Sequence, residues 1–140
     1  MRSASFLKFQ YAAKYLGVYV GQNACELSWQ KPARAYQEKL VAIRKQSLGL
    51  VASLYAYNSR AFSKFSFIAQ FHSPDLSTLA VETKGLDDLN VGPFRAIPQD
   101  LIINLKQLGF PVEATDLATV SYASKCRIAI ETSTLFRRLY

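Results

Sequence analysis

The sequence has too few metal-binding and redox side chains to predict a cofactor site. It contains one histidine, His72, and two cysteines, Cys25 and Cys126, which stand about a hundred residues apart. A structural zinc site needs four such ligands at close spacing, and a redox dithiol needs two cysteines a few residues apart. We therefore expect no metal and no cofactor, and we expect both cysteines to be reduced, buried thiols.

Long apolar runs are also lacking. Half of the residues are hydrophobic, yet no run reaches the ~20 residues that a bilayer-spanning helix requires. Charged residues make up 19% of a chain of 140 residues, which is typical of one folded domain and not of a disordered tail. We expect a single domain over residues 1–140, with no membrane span.

Acidic residues are scarce in the first half of the chain. Residues 1–70 carry ten lysines and arginines against two acids, whereas residues 71–140 carry seven against eight. Such asymmetry indicates a polyanionic partner, most simply nucleic acid, although a basic half can also serve solubility alone.

The first residues, up to Lys14, are basic and free of acids, and this composition resembles an organellar transit segment. The alternative is that Phe6, Phe9 and Tyr11 belong to the fold. The compartment stays open between the nucleus and an organelle.

The stretch "YLGVYVG", from Tyr15 to Gly21, predicts a short β-hairpin. Apolar and polar character alternates over Val18, Tyr19 and Val20, which is typical of a half-buried strand. Glycines at both ends favour tight turns that a Cβ would obstruct. We assign residues 1–27 to this hairpin region.

A helical pattern follows. Ser28 is placed to cap its N-terminus, Pro32 then falls in the first turn, where backbone N–H groups lack partners, and the helix should end near Ser47. Apolar residues recur every three or four positions and therefore share one face. This face holds Trp29, Ala33, Tyr36, Leu40 and Ile43.

The opposite face of this helix is mainly basic. A phosphate backbone would meet such a face, and the alternative is a solvated face with an Arg34–Glu38 pair one turn apart. The face holds Lys31, Arg34, Glu38 and Lys45.

Residues 50–72 contain neither glycine nor proline and predict a second, largely buried helix, whose cations Arg60 and Lys64 stand one turn apart. Glycines, prolines and capping residues predict further helices at about 75–89, from Pro98 at the first helical position to Gly109, and from Thr115 or Asp116 to about Arg138. The predicted fold is mainly α, with a short N-terminal β-hairpin followed by a bundle of about five helices over residues 28–140.

Catalytic motifs are missing from the sequence. It has no phosphate-binding Gly-rich loop, no nucleophile elbow and no His-Glu-X-X-His helix. His72 favours a capping or surface role over that of a general base. The adjacent acids Asp87 and Asp88 are more typical of a solvated helix end than of a magnesium site.

Four stretches resemble a non-LTR retrotransposon reverse transcriptase. They are "YLGVYVG", "SWQKP" from Ser28 to Pro32, "LYAYNSRAFSKFSFIAQF" from Leu54 to Phe71, and "LKQLGFP" further along. The similarity covers the chain from about Ala12 to Ile130 and rests on the order and spacing of these stretches. It implies a primer-grip hairpin followed by thumb-like helices that track a template-primer duplex.

The resemblance implies a set of residues that contact nucleic acid. The missing side chain of Gly17 would let the hairpin approach a strand, and the cations would meet phosphates, which position a duplex without reading its sequence. RNA, DNA and a hybrid duplex all remain open as ligands. The implied residues are Lys14, Tyr15, Leu16, Gly17, Lys31, Arg34, Lys45, Arg60 and Lys64.

The chain departs from that family where the catalytic palm should stand. The palm's Tyr-X-Asp-Asp motif should precede the hairpin, but only eleven residues precede Ala12, and the two-metal mechanism needs its carboxylates. We therefore expect a non-catalytic nucleic-acid-binding module. The alternative is a retroelement-derived structural subunit of a larger protein or ribonucleoprotein assembly, for example an organellar one, whose protein partner covers exposed apolar surface.

Overall fold

A computed structural model describes residues 11–89 and 97–139. Within these ranges the fold is mainly α-helical and begins with one two-stranded antiparallel hairpin, as the sequence predicts. The expectations for Phe6, Phe9 and the first ten residues of the transit-like segment lie outside the described residues, whereas Tyr11 is described and its side chain is exposed.

The hairpin pairs β1 (Ala12–Tyr15) with β2 (Val18–Gly21). Leu16 and Gly17 form its two-residue turn, with φ angles of 48° and 91°. Two positive φ angles are the type I′ geometry that matches the twist of a hairpin, and a leucine adopts that conformation at a cost of about 1 kcal/mol. The hairpin contributes Val18 to the core.

The first helix, α1 (Ala24–Arg44), starts five residues earlier than predicted, because Asn23 and not Ser28 is its N-cap. Asn23 precedes it in the left-handed conformation that asparagine tolerates. The prediction that Ser28 caps the helix is wrong, because its Oγ instead accepts the N–H of Tyr19 at 3.0 Å. Pro32 therefore lies in the helix interior, where it cannot donate to the carbonyl four residues before it. The hairpin region accordingly ends before residue 24 and not at residue 27.

The predicted helix over residues 50–72 is helical but not uniform. It consists of α2 (Leu50–Ala56), a π-helical turn (Tyr57–Phe62), α3 (Ser63–Ser66) and a 3₁₀ turn (Ile68–Gln70). The prediction that this stretch is helical is therefore confirmed, and the prediction that it is one continuous α-helix is wrong.

Long-range hydrogen bonds accompany the π-helical turn. The Asn58 amide donates to the carbonyl of Glu113 at 2.8 Å and accepts the N–H of Thr115 at 3.0 Å. The Tyr57 hydroxyl donates to the carbonyl of Thr115 at 3.4 Å. A π turn changes the direction in which side chains leave a helix, and here it serves contacts to a segment far along the chain.

The next two helices are α4 (Leu76–Leu89) and α5 (Gln99–Ile103), and α5 is extended by a 3₁₀ turn (Leu105–Leu108). Pro98 occupies the N-cap of α5 and not the first helical position that was predicted. Gly109 ends the 3₁₀ turn with a φ of 87°, as predicted.

The last helix, α6 (Leu117–Leu139), begins where the sequence predicts. The Asp116 carboxylate accepts the N–H of Thr119 at 2.8 Å, which satisfies one of the unpaired donors at a helix N-terminus.

Aromatic side chains form the centre of the core between α1 and the helical run that follows it. Tyr36 stacks on Phe65 with ring centroids 4.5 Å apart, and Trp29 meets Phe65 edge-on at 5.7 Å. Tyr57 closes the cluster against Tyr36 at 6.1 Å. Burial of these large rings holds α1 against its neighbour and fixes which face of α1 remains exposed.

Two further expectations concern thiols and membranes. Cys25 and Cys126 are both free, but each is only partly buried, so the prediction of buried thiols is wrong. Within the described ranges, no helix has both the length and the apolar character needed to cross a membrane.

Candidate nucleic-acid interface

A groove of about 700 Å³ lies where the hairpin, the first half of α1 and α3 meet. Four of the side chains that line it are cationic, and they come from three separate elements. The backbone of the hairpin turn lies at its wall. These residues are Lys14, Gly17, Lys31, Arg34 and Lys64.

Side-chain hydrogen bonds hold the hairpin over this groove. Besides the bond from Tyr19 N–H to Ser28, the carbonyl of Tyr19 lies 3.1 Å from His72 Nε2, a bond that forms when Nε2 carries the proton. The Trp29 indole N–H donates to the carbonyl of Ser73 at 2.9 Å and ties α1 to the same chain segment. Sequence reasoning assigned His72 a capping or surface role and missed this link to the hairpin.

The two cations of α1 face the groove because of the aromatic core. Tyr36 and Trp29 are fully buried on one side of α1. Lys31 and Arg34, three residues apart, therefore share the outward side. The helical wheel predicts this placement correctly.

The lining of the groove carries positive charge without carboxylates among its described residues. None of the described residues that line it is acidic. Ion pairs in the described part of the chain join Arg44 to Asp88 at 4.0 Å and Lys106 to Glu113 at 3.3 Å, both away from the groove. Cations that converge on a concave surface without counter-charges create the potential that attracts an anion.

The other predicted site residues lie outside the groove. Tyr15 and Leu16 are exposed at the tip of the hairpin but do not line it. Lys45 caps the C-terminus of α1, about 21 Å from Lys31 at 1.5 Å per residue. Arg60 lines a separate depression near the end of α1. The basic face that the helical wheel predicts therefore does not form one surface. Lys31 and Arg34 line the groove, whereas Lys45 lies at the far end of α1.

Two aromatic residues at the groove escaped sequence reasoning. Tyr19 and Phe67 both line it. Lys14 Nζ lies 5.9 Å from the centroid of the Tyr19 ring, within the range of a cation–π contact. Phe67 follows Lys64 by three residues, which places both on one side of a helix, and this spacing was the available signal.

A buried carboxylate lies in the core, away from the groove. Glu82 Oε1 accepts the N–H of Leu117 at 2.8 Å, at the start of α6. Burial raises the pKa of Glu82 from 4.5 to about 7, against the lowering effect of that hydrogen bond, and the charge of Asp116 raises it further. The pKa of Tyr57 is raised well above its ordinary value by burial.

Metal-binding clusters are not found among the described side chains, where no three His, Cys, Asp or Glu residues are grouped closely enough to hold an ion. Asp88, one of the two adjacent acids on α4, faces Arg44 across the helix pair.

Comparisons with family models, with curated proteins and with solved structures give no match to this chain.

Proposed function

We propose that the groove binds the sugar-phosphate backbone of nucleic acid and that this chain performs no reaction itself. The observation that carries the proposal is the convergence of Lys14, Lys31, Arg34 and Lys64 on one concave surface whose described lining holds no carboxylate. The resemblance of the chain from about Ala12 to Ile130 to the primer grip and thumb of a non-LTR retrotransposon reverse transcriptase supports nucleic acid as the class of ligand.

The chemistry of the groove suits phosphate contact without sequence readout. Lysine offers a point charge and arginine a planar fork of donors, and both bind phosphate oxygens. Each phosphate that is neutralised releases condensed counterions, so affinity depends strongly on salt. Contacts of this kind set the position of a strand and carry no base preference.

Charge reversal tests the proposal. We expect the double variant R34E/K64E to bind fluorescein-labelled RNA or DNA at least tenfold more weakly than the unaltered protein, in a fluorescence anisotropy titration at about 50 mM salt. The loss should be equal for oligonucleotides of unrelated sequence, because phosphates are the same in each.

Lys39 supplies the matched control. It is exposed on the same helix as Arg34 and does not line the groove. K39E changes the net charge by the same amount per residue, so an effect of net charge alone would weaken binding equally at either site. The single variant R34E is measured beside K39E, and equal losses from the two, or no salt-dependent binding by the unaltered protein, would contradict the proposal.

A second candidate function is that of a structural subunit in a larger protein or ribonucleoprotein assembly. The observation that favours it is α6, where every described side chain from Arg127 to Ser133 is exposed, Ile128 and Ile130 among them. Apolar side chains on such a helix favour a protein partner. Light scattering after size-exclusion chromatography distinguishes the two functions: a monodisperse monomer that binds nucleic acid supports the first, and a chain that aggregates unless a partner protein is present supports the second.

A further inference from the structure

Phe67 is a large apolar side chain left at the edge of a cationic groove. It lines the groove beside Lys64 and remains 46% exposed. Its ring meets Phe71 edge-on, with centroids 5.2 Å apart. An exposed aromatic ring beside phosphate-binding cations is the combination with which proteins bind single-stranded nucleic acid, where bases stack on the ring.

The hairpin turn lies directly beside this ring. A Cβ built on Gly17 would stand 3.7 Å from a ring carbon of Phe67, so the glycine backbone and the aromatic ring form adjoining parts of one wall. The positive φ of 91° at Gly17 disfavours any side chain at this position. The turn therefore places backbone, and no side chain, beside the ring of Phe67.

The size of the groove separates single strands from duplexes. Its volume of about 700 Å³ lies within the range of small-molecule sites, which is room for one or two nucleotides. A duplex keeps the faces of its bases stacked inside and presents phosphates on a convex surface. It can contact the cations, but it cannot place a base against Phe67.

We infer that the groove takes a single-stranded segment of nucleic acid, with one base stacked on Phe67 and the flanking phosphates held by the four cations of the groove. This inference rests on the proposed function and names its ligand more closely. Because every base has a flat face, the site accepts any sequence and selects for the absence of a complementary strand.

The test compares one labelled single strand of about 12 nucleotides, a typical site size, with the same strand annealed to its complement. We expect the unaltered protein to bind the single strand more tightly. We expect F67L to weaken single-strand binding roughly tenfold, since one stacked base is worth about 1–3 kcal/mol, and to leave duplex binding within about twofold. F67Y keeps the ring and should retain single-strand affinity.

Phe110 supplies the matched control, because it is 42% exposed and lies outside the groove. F110L should leave both affinities unchanged. Equal affinity for single strand and duplex, or equal losses from F67L on both, would overturn the inference while leaving a salt-dependent phosphate site intact. Absence of salt-dependent binding to either ligand would instead contradict the proposed function.

Discussion

The buried carboxylate of Glu82 makes the stability of this fold depend on pH in a direction that can be stated in advance. Its side chain is only 3% exposed, and one oxygen accepts the N–H of Leu117. Burial favours the neutral acid over the carboxylate, and this raises the pKa from 4.5 to about 7 in the folded protein. In the unfolded chain the same group is solvated and titrates near its ordinary value.

The sign follows from proton binding in the two states. Between pH 4.5 and about 7 the folded protein holds a proton on Glu82 that the unfolded chain releases, so raising the pH favours unfolding. The stability contribution is fully present below pH 4.5, and it is lost as the pH rises through about 7. A shift of this size corresponds to about 3 kcal/mol, at 1.36 kcal/mol for each pH unit.

The assay is urea unfolding of the unaltered protein and of Glu82→Gln, followed by circular dichroism at several pH values between about 4.5 and 7.5. Glutamine keeps an oxygen that can accept the Leu117 N–H but has no titrating proton. We expect the free energy of unfolding of E82Q, relative to the unaltered protein, to rise by about 3 kcal/mol across this range. Glu38→Gln removes an exposed carboxylate of α1 and serves as the control. A difference between E82Q and the unaltered protein that stays constant with pH would show that folding does not raise the pKa of Glu82.

Two substitutions test the packing that positions the site. Gly85→Ala at the crossing of α1 and α4 should lower the free energy of unfolding by about 1–3 kcal/mol, because the new methyl group would overlap the hydroxyl of Tyr36. Gly49→Ala, where a Cβ meets nothing within 4 Å, is its control in urea unfolding. Asn58→Ala should cost about 2 kcal/mol, because it leaves two backbone groups of the segment before α6 without partners, whereas Ser59→Ala should change the midpoint little. A neutral G85A or N58A variant would contradict the packing described above.

Local signals were sufficient to predict the hairpin and most of the helices. Gly17 permits the turn that joins β1 to β2, Gly109 ends the 3₁₀ turn after α5, and Asp116 caps α6. Each of these residues acts on its immediate neighbours, so its effect can be inferred from the sequence around it.

Long-range contacts account for what the sequence did not predict. Ser28 has a side chain that can cap a helix, but in the fold its hydroxyl oxygen accepts the N–H of Tyr19. The helix α1 therefore begins before Ser28, nearer to the hairpin. The π-helical turn at Asn58 is associated with hydrogen bonds to residues 113–115. No pattern in the sequence around Asn58 predicts these bonds. Tertiary contacts override local preference at both positions.

In the candidate site too, local signals predict part of the arrangement and long-range contacts determine the rest. Helical periodicity places Lys31 and Arg34 on one outward face of α1. The approach of Lys14 and Lys64 to that face depends on the hairpin folding back onto α1 through Tyr19, which periodicity cannot predict. The distance of Lys45 from Lys31 follows from the sequence at 1.5 Å per residue, but the position of the groove at the first half of α1 does not.

The dependence of affinity on salt concentration shows whether the four cations of the groove bind phosphates, because its slope counts the phosphates that the protein neutralises. Four cations in contact with a single strand predict a slope of log affinity against log salt of about −3, at −0.7 for each phosphate. We expect the variant K14Q/K31Q/R34Q/K64Q to reduce that slope nearly to zero, and the control K39Q/K45Q, on the same helix but outside the groove, to leave it at about −3. An unchanged slope in the fourfold variant, or an equal reduction in the control, would contradict the claim that these four side chains form the phosphate-binding surface.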